Sequence, residues 1–334
     1  MDEKIGVVFD TNAYRNFVRD LEIDQVSEAV QKLRQKENEA GVKTYGSVIV
    51  GLELLAHLVE GDCNFDECIK AIIALGTHCV DKESGWRIIP DARLHVIGIY
   101  FKDSPEKEEL ESKALNIGGV ISDVGKNHED NIENHRLRGT FKNIKNYIDI
   151  AEKDFLKTIK YLLFFSKTFD IIDNCSYINK SQRDLIKNEL KKSNSYLKEK
   201  QLKFFNGKEF ETLSSYCIIK YLSEHLNQKN NGNEIIRKSR SVVDEFPLFF
   251  GFLKSMLIKI VEDNVDIKSK KTKQKRANWI WDYNISFHIS DKTLDGRKSI
   301  IITSDKDMTD ILRKNSYEDR VMSLKEYFEF VKYK

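Results

Sequence analysis

Ile5-Gly6-Val7-Val8-Phe9-Asp10-Thr11-Asn12 is the stretch that decides the fold. Its first five residues are apolar without alternation, the pattern of a parallel strand covered on both faces. The run stops on the carboxylate of Asp10, and Thr11 or Asn12 can cap a helix running through Tyr14 and Phe17. Ser299-Ile300-Ile301-Ile302-Thr303, near the other end of the chain, is a β-branched run that reads as a second central strand. Ser304 or Asp305 then caps a helix to about Arg313. Sites in parallel sheets lie at the carboxyl ends of strands, so Asp10 and Asp305 mark one edge.

Leu21 to Ala40 has helical spacing, with Val26, Ala29, Val30 and Leu33 on one side and Gly41 closing it. Val42 to Tyr45 reads as a strand, and Ser47 caps a helix through Val59 with Glu53 at its middle. Phe65 to Leu75 follows as a helix, then Trp86 to Pro90 as a third strand. From about 105 to 270 the pattern is helical without a repeating period, with a turn at Lys229-Asn230-Asn231-Gly232-Asn233. Strand and helix alternate again after 275: a helix over Trp279 to Ser290, the Ser299 to Thr303 strand, a short strand at Arg320 to Met322 and a last helix from Ser323. Leu324, Tyr327, Phe328 and Val331 form the apolar face of that last helix. The expectation is an α/β domain in two parts, 1–104 and 271–334, with a parallel sheet covered by helices. Residues 105–270 form a large all-α insertion between them.

Composition narrows the functional classes. The 334 residues are 40% hydrophobic and 32% charged, which suits a globular chain rather than a disordered one. The formal net charge is only +2, so any nucleic-acid contact must come from a local patch. Lys268, Lys270, Lys271, Lys273, Lys275 and Arg276 form the densest basic run, directly before the Trp279 helix. Two long apolar segments, Phe155 to Ile172 and Phe246 to Val261, are interrupted by lysines, which argues against a membrane span. Met1-Asp2-Glu3-Lys4 does not open a secretory signal, and five irregularly spaced cysteines suit a reducing compartment. Cytoplasmic location is therefore expected. Cys63 and Cys68 lack the paired partners of a structural zinc site.

Four segments carry the chemistry: Val8-Phe9-Asp10-Thr11-Asn12, Ser47 to Leu54 around Glu53, Trp279 to Ile285 around Asp282, and Ile302-Thr303-Ser304-Asp305-Lys306-Asp307. Glu53 stands between Leu52 and Leu54, and Asp282 between Trp281 and Tyr283, positions where a lone acid is costly. In this order the segments resemble the PIN-domain nuclease family: a strand ending in Asp-Thr-Asn, an acid mid-helix, a third acid in a later helix, and a strand running into Thr-Ser-Asp. The resemblance covers roughly residues 4–100 and 276–334. It departs from the family between the second and third acids, which lie much farther apart here. It implies a three-layer α/β/α PIN-like fold and metal-dependent cleavage of RNA.

Hard divalent cations such as Mg²⁺ or Mn²⁺ prefer carboxylate oxygens. Clustered carboxylates without a cation raise one another's pKa. Asp10, Asp282 and Asp305 are the expected metal ligands, with Glu53 a ligand or the holder of a metal-bound water. Asp307 is a further candidate ligand, and Asn12 and Ser304 are candidate orienting groups behind the ligands. Lys270, Lys271, Lys273, Lys275 and Arg276 are candidate phosphate contacts. His57, one turn from Glu53, reads as a satisfied boundary histidine and Tyr14 as a core-edge aromatic. Asp10 and Asp305 can equally be plain helix caps. The expected function is a metal-dependent endoribonuclease, toxin-like or RNA-processing, acting on an RNA substrate. The alternatives are a structure-specific DNA nuclease and a non-catalytic PIN module that binds RNA or protein. An inhibitory protein partner or a homo-oligomer is open.

Overall fold

The apolar run at the N-terminus forms the central strand of a five-stranded sheet. The computed structural model describes residues 4–81, 85–89, 96–98, 100–101, 106–169, 180–226, 232–269, 273–315 and 317–333. Its strands are β1 (Ile5–Phe9), β2 (Val42–Ser47), β3 (Val80–Asp81), β4 (Gly85–Trp86), β5 (Ile88–Ile89), β6 (Lys298–Ile302) and β7 (Val321–Met322). The main sheet has the order β5-β2-β1-β6-β7, and every neighbouring pair in it is parallel. Val8 pairs with Tyr45 on one side and Ile301 on the other. Val7, Val8 and Phe9 point alternately to opposite faces and all are fully buried, so both faces are covered. The third strand expected over 86–90 is divided: Trp86 belongs to β4, antiparallel to β3, while Ile88–Ile89 joins β2.

The helices that accompany the first strands are α1 (Thr11–Val18), α2 (Val26–Glu39), α3 (Val48–Ala56) and α4 (Phe65–Cys79). The middle of the chain, among the described residues, consists of α5 (Glu106–Lys126), α6 (His128–Leu137), α7 (Thr140–Thr168), α8 (Lys180–Glu189), α9 (Asn194–Asn206), α10 (Glu209–His225), α11 (Gly232–Glu245) and α12 (Pro247–Glu262). The turn expected at 229–233 lies mostly outside the described residues. The chain closes with α13 (Lys273–His288), α14 (Lys306–Lys314) and α15 (Leu324–Phe330). A mostly helical, mixed α/β molecule results. No described helix is long and apolar enough to cross a membrane.

α3 is apolar nearly all round, as a helix enclosed by other elements must be. It starts on Ser47, whose hydroxyl accepts the Ile49 N–H at 3.2 Å. A Cβ at Gly51 would meet the tip of the Ile121 side chain of α5, which would have to shift to make room for it. α7 and α13 also pack on α3, and α12 packs on both α13 and α14. One hydrophobic core runs from the sheet through these helices.

The aromatic residues around Asp282 now have a packing reason. Tyr283 of α13 lies between Phe155 of α7, with ring centroids 5.2 Å apart, and Phe249 of α12, at 5.0 Å. Phe249 also stacks on Phe287 at 4.2 Å. Such pairs contribute about 0.5–1.5 kcal/mol each beyond their buried area. The middle helices therefore hold α13 in place. Phe249→Ala is expected to destabilise the chain by about 3–5 kcal/mol in urea unfolding. Leu137→Ala, at a side chain 78% exposed, should stay within about 0.5 kcal/mol of wild type.

Candidate functional site

From β1 the sheet extends outward through β2 and β5 on one side and through β6 and β7 on the other. The direction of winding therefore reverses at β1, and in open parallel sheets ligands bind beyond the carboxyl ends of the strands at such a reversal, here those of β1 and β6. Asp10 and Asp305 stand at those two ends. The Asp10 N–H continues the ladder by donating to the Ile302 carbonyl at 2.9 Å. Its carboxylate caps α1, Oδ1 accepting the Ala13 N–H at 2.6 Å. Asp305 caps α14 in the same manner, accepting the Met308 N–H at 2.8 Å. Asp10 thus takes the capping position expected of Thr11 or Asn12.

Thr303 joins the two caps. Its hydroxyl donates to Asp10 Oδ2 and accepts the Asp305 N–H, the latter at 2.9 Å. Thr11 plays the matching part for the second acid, its hydroxyl donating to Glu53 Oε2. Asn12 and Ser304, the expected orienting residues, lie exposed. The threonines beside them in the same motifs point inward instead: Thr303 ends the buried β6 and Thr11 opens α1. Their adjacency to the acids was the only sequence signal for this role.

The acids sense one another. Burial pushes Asp10 up to about 7, and repulsion by Asp305 adds to it, against the hydrogen bonds from Thr303 and the Ala13 and Asn12 backbone. Burial likewise pushes Glu53 up to about 7, with Asp10 repelling it while Thr11 and the Arg15 charge oppose. Burial and then repulsion by Asp305, Asp10, Glu53 and Asp307 raise the half-buried Asp282 well above the carboxylate range. Its helix α13 packs against α3, which carries Glu53. Segments distant in the chain are thereby brought within electrostatic reach of each other. Asp307 is exposed and pairs with Lys259 at 2.9 Å.

A buried acid elsewhere in the same fold behaves in the opposite way. Glu37 of α2 is as enclosed, yet its pKa is lowered. Burial works against ionisation there, but His78 lies 2.9 Å from both carboxylate oxygens and the Tyr327 hydroxyl donates at 2.6 Å. Buried acids that only build structure acquire partners of this kind. Among the described residues, the cation that acts on Glu53 is Arg15, whose Nε is already held by Glu67 at 2.9 Å.

The secondary candidates divide. His57 Nδ1 sits 3.1 Å from both oxygens of Asp62, a satisfied boundary histidine. Tyr14 is fully buried, 3.3 Å from His78 Nδ1, deeper than a core edge and out of reach of a nucleic-acid base. Lys268 is exposed. Lys270 and Lys271 lie outside the described residues, as do the side chains of Lys273, Lys275 and Arg276 at the start of α13. Cys63 is exposed and Cys68 buried, so the two do not share a surface.

The donor set suits a hard cation: carboxylate oxygens, partly enclosed, mutually repelling and flanked by hydroxyls that fix one oxygen each. Among the described residues, no three Asp, Glu, His or Cys side chains converge as a ligand set. Comparison with family models, with curated proteins and with solved structures finds no match for this chain.

The raised pKa values set a pH dependence. A carboxyl that holds its proton more tightly when folded favours folding fully below the ordinary carboxylate range, and that contribution is lost as pH rises through about 7. In the presence of EDTA, thermal stability is expected to fall between about pH 5 and pH 8. Asp10→Asn should flatten that fall while keeping the cap, since Asn caps as well as Asp. The upper bound for Asp10 is about 4 kcal/mol at about 1.4 kcal/mol per pKa unit. A wild-type melting curve indifferent to pH over this range would contradict it.

Proposed function

We propose that this chain is a cytoplasmic, metal-dependent endoribonuclease of the PIN-like type that hydrolyses RNA phosphodiester bonds. One observation carries the proposal. Asp10 and Asp305 follow adjacent parallel strands, Glu53 and Asp282 come from two distant helices within electrostatic reach of them, and burial with neighbouring negative charge raises Asp10, Glu53 and Asp282 where Glu37, with its matched partners, is lowered. Asp10, Asp282 and Asp305 are the residues that would hold Mg²⁺ or Mn²⁺, with Glu53 a ligand or the acceptor for a bound water. A divalent cation there supplies charge for an attacking water and for the departing oxygen. Thr303 and Thr11 orient Asp10 and Glu53, and the α1 and α14 caps fix Asp10 and Asp305 to the sheet. A toxin-like and an RNA-processing role are both compatible with this chemistry.

A specific observation favours a second reading, a module that binds RNA or a protein without cutting. Asp10 and Asp305 each serve as a helix cap, and among the described residues no three acids are already converged. Metal binding separates the two. Mn²⁺ is expected to raise the melting temperature of the wild type at pH 8 and to do so far less for Asp10→Asn. Cleavage of single-stranded RNA and DNA, followed in parallel with Mn²⁺, should favour RNA and be abolished by Asp10→Asn, Asp282→Asn and Asp305→Asn with the fold retained. Wild-type turnover in Asp10→Asn, verified free of contaminating nuclease, would overturn the proposal.

The basic run gives a second test. Replacing Lys270, Lys271, Lys273 and Lys275 with Ala should weaken RNA binding and flatten its log–log salt slope by about 0.7 for each phosphate that is no longer neutralised. Turnover at saturating RNA should change little, because such cations bind ground and transition states alike. An unchanged binding constant and slope would show that the run is a solvated segment.

A further inference from the structure

The helix α12 runs antiparallel along α14, in a register marked at three levels. At one end, a Cβ on Gly251 would come within 2.9 Å of the Tyr317 ring, so only glycine admits this approach. One turn on, the Asn315 amide donates to the Ser255 hydroxyl at 2.6 Å. One further turn on, Lys259 Nζ meets Asp307 Oδ2 at 2.9 Å. Positions 251, 255 and 259 share a helix face. That face delivers Lys259 to the first turn of α14, two residues from Asp305.

Stability alone does not account for a cation there. The N-terminus of a helix is the positive end of its dipole, where anions are favoured and cations are not. The Lys259–Asp307 pair is also one-third to one-half exposed, in the range where such pairs contribute little. The position is informative because Asp307 follows the capping Asp305 by two residues in the first turn of α14, so Lys259 stands at the rim of the acid cluster. Anionic substrate approaching a ring of carboxylates needs a cation at that rim, and a weak pair can exchange Asp307 for a phosphate oxygen.

We infer that Lys259 is a phosphate-binding residue of this site, supplied by the helical middle of the chain and held on Asp307 until substrate arrives. The inference rests on the nuclease reading above and names a residue that the sequence motifs do not contain. No bond forms or breaks in this step; one ion pair replaces another.

The test is steady-state cleavage of a single-stranded oligoribonucleotide with Mn²⁺, at several salt concentrations, by wild type, Lys259→Ala, Lys259→Arg, Asp307→Asn and the control Lys254→Ala. Lys259→Ala should lower kcat/KM about tenfold, the worth of one charge-assisted hydrogen bond, and flatten the salt slope by about 0.7. Its unfolding midpoint should stay close to that of wild type. Lys259→Arg should restore most of the activity, because the charge is kept. Asp307→Asn should keep the wild-type salt slope, since Lys259 remains available, and Lys254→Ala, more than a turn away from Lys259 along α12, should be unaffected. Wild-type kcat/KM and slope in Lys259→Ala, beside an active wild type, overturn the role of Lys259 and leave the nuclease reading standing. A loss of activity in Lys259→Ala without any flattening of the salt slope overturns it too, because the pair would then only fasten α12 to α14. A wild type that cuts neither RNA nor DNA overturns the nuclease reading, and the role of Lys259 with it.

Discussion

Like charge gathered at one edge of a parallel sheet is the constraint around which this molecule is arranged. Asp10 and Glu53 are pushed to about 7 and Asp282 is raised well above its ordinary value, even though local interactions favour the ionised forms of the first two. A hydrogen bond to a charged group contributes about 1.5–3 kcal/mol. At Asp10 a threonine hydroxyl and two backbone N–H groups supply such bonds, and burial with Asp305 repulsion still prevails. At Glu37 burial loses, because His78 and Tyr327 address both carboxylate oxygens. The difference between the two sites is therefore the presence of a matched partner, not the degree of burial. Acids kept near one another without a matched cation cost stability, and the proposed hard cation would offset that cost.

The sheet secures only part of the cluster. Asp10 and Asp305 follow adjacent strands and share Thr303, so their spacing follows from β1–β6 pairing. Glu53 depends on α3, which lies enclosed and is closely approached by α5 at Gly51. Asp282 depends on α13, fixed by Phe155 and Phe249 from the middle of the chain. The helical segment is thus structural support for the third acid as well as a neighbour of the site. Poorer packing at Phe249 would be felt at a carboxylate that Phe249 does not touch.

Much of this was legible in the sequence, and the boundary has a physical cause. Ile5–Phe9 and Ile300–Ile302 announce buried parallel strands because unalternated β-branched runs leave no wet face. Glu53 and Asp282 stand out because isolated acids in apolar helices are costly. The third strand was harder to place: Arg87 separates Trp86 in one small sheet from Ile88 in another, a break that depends on tertiary pairing. The roles of Thr11 and Thr303 were not legible, since a hydroxyl's partner is set by where its backbone lands. Asn12 and Ser304 are chemically as suitable and differ only in pointing outward. Lys259 was invisible for the same reason, being far from every acid motif in sequence and adjacent to one in space.

The chain separation within the cluster has a consequence for how the site forms. The hydrogen bond from Thr303 to Asp10 spans 293 residues, and the helical segment must be in place before α13 can present Asp282. Closing long loops is entropically unfavourable until the contacts they enable are made. The elements that favour early structure are local: the capped α1 and α14 and the continuous apolar helix α3. The nearness of the acids to one another therefore depends on the core shared by the sheet and the middle helices. The unfavourable electrostatics are confined to the native state, where α12, α13 and α14 are already packed against one another and can hold the carboxylates near one another against their repulsion.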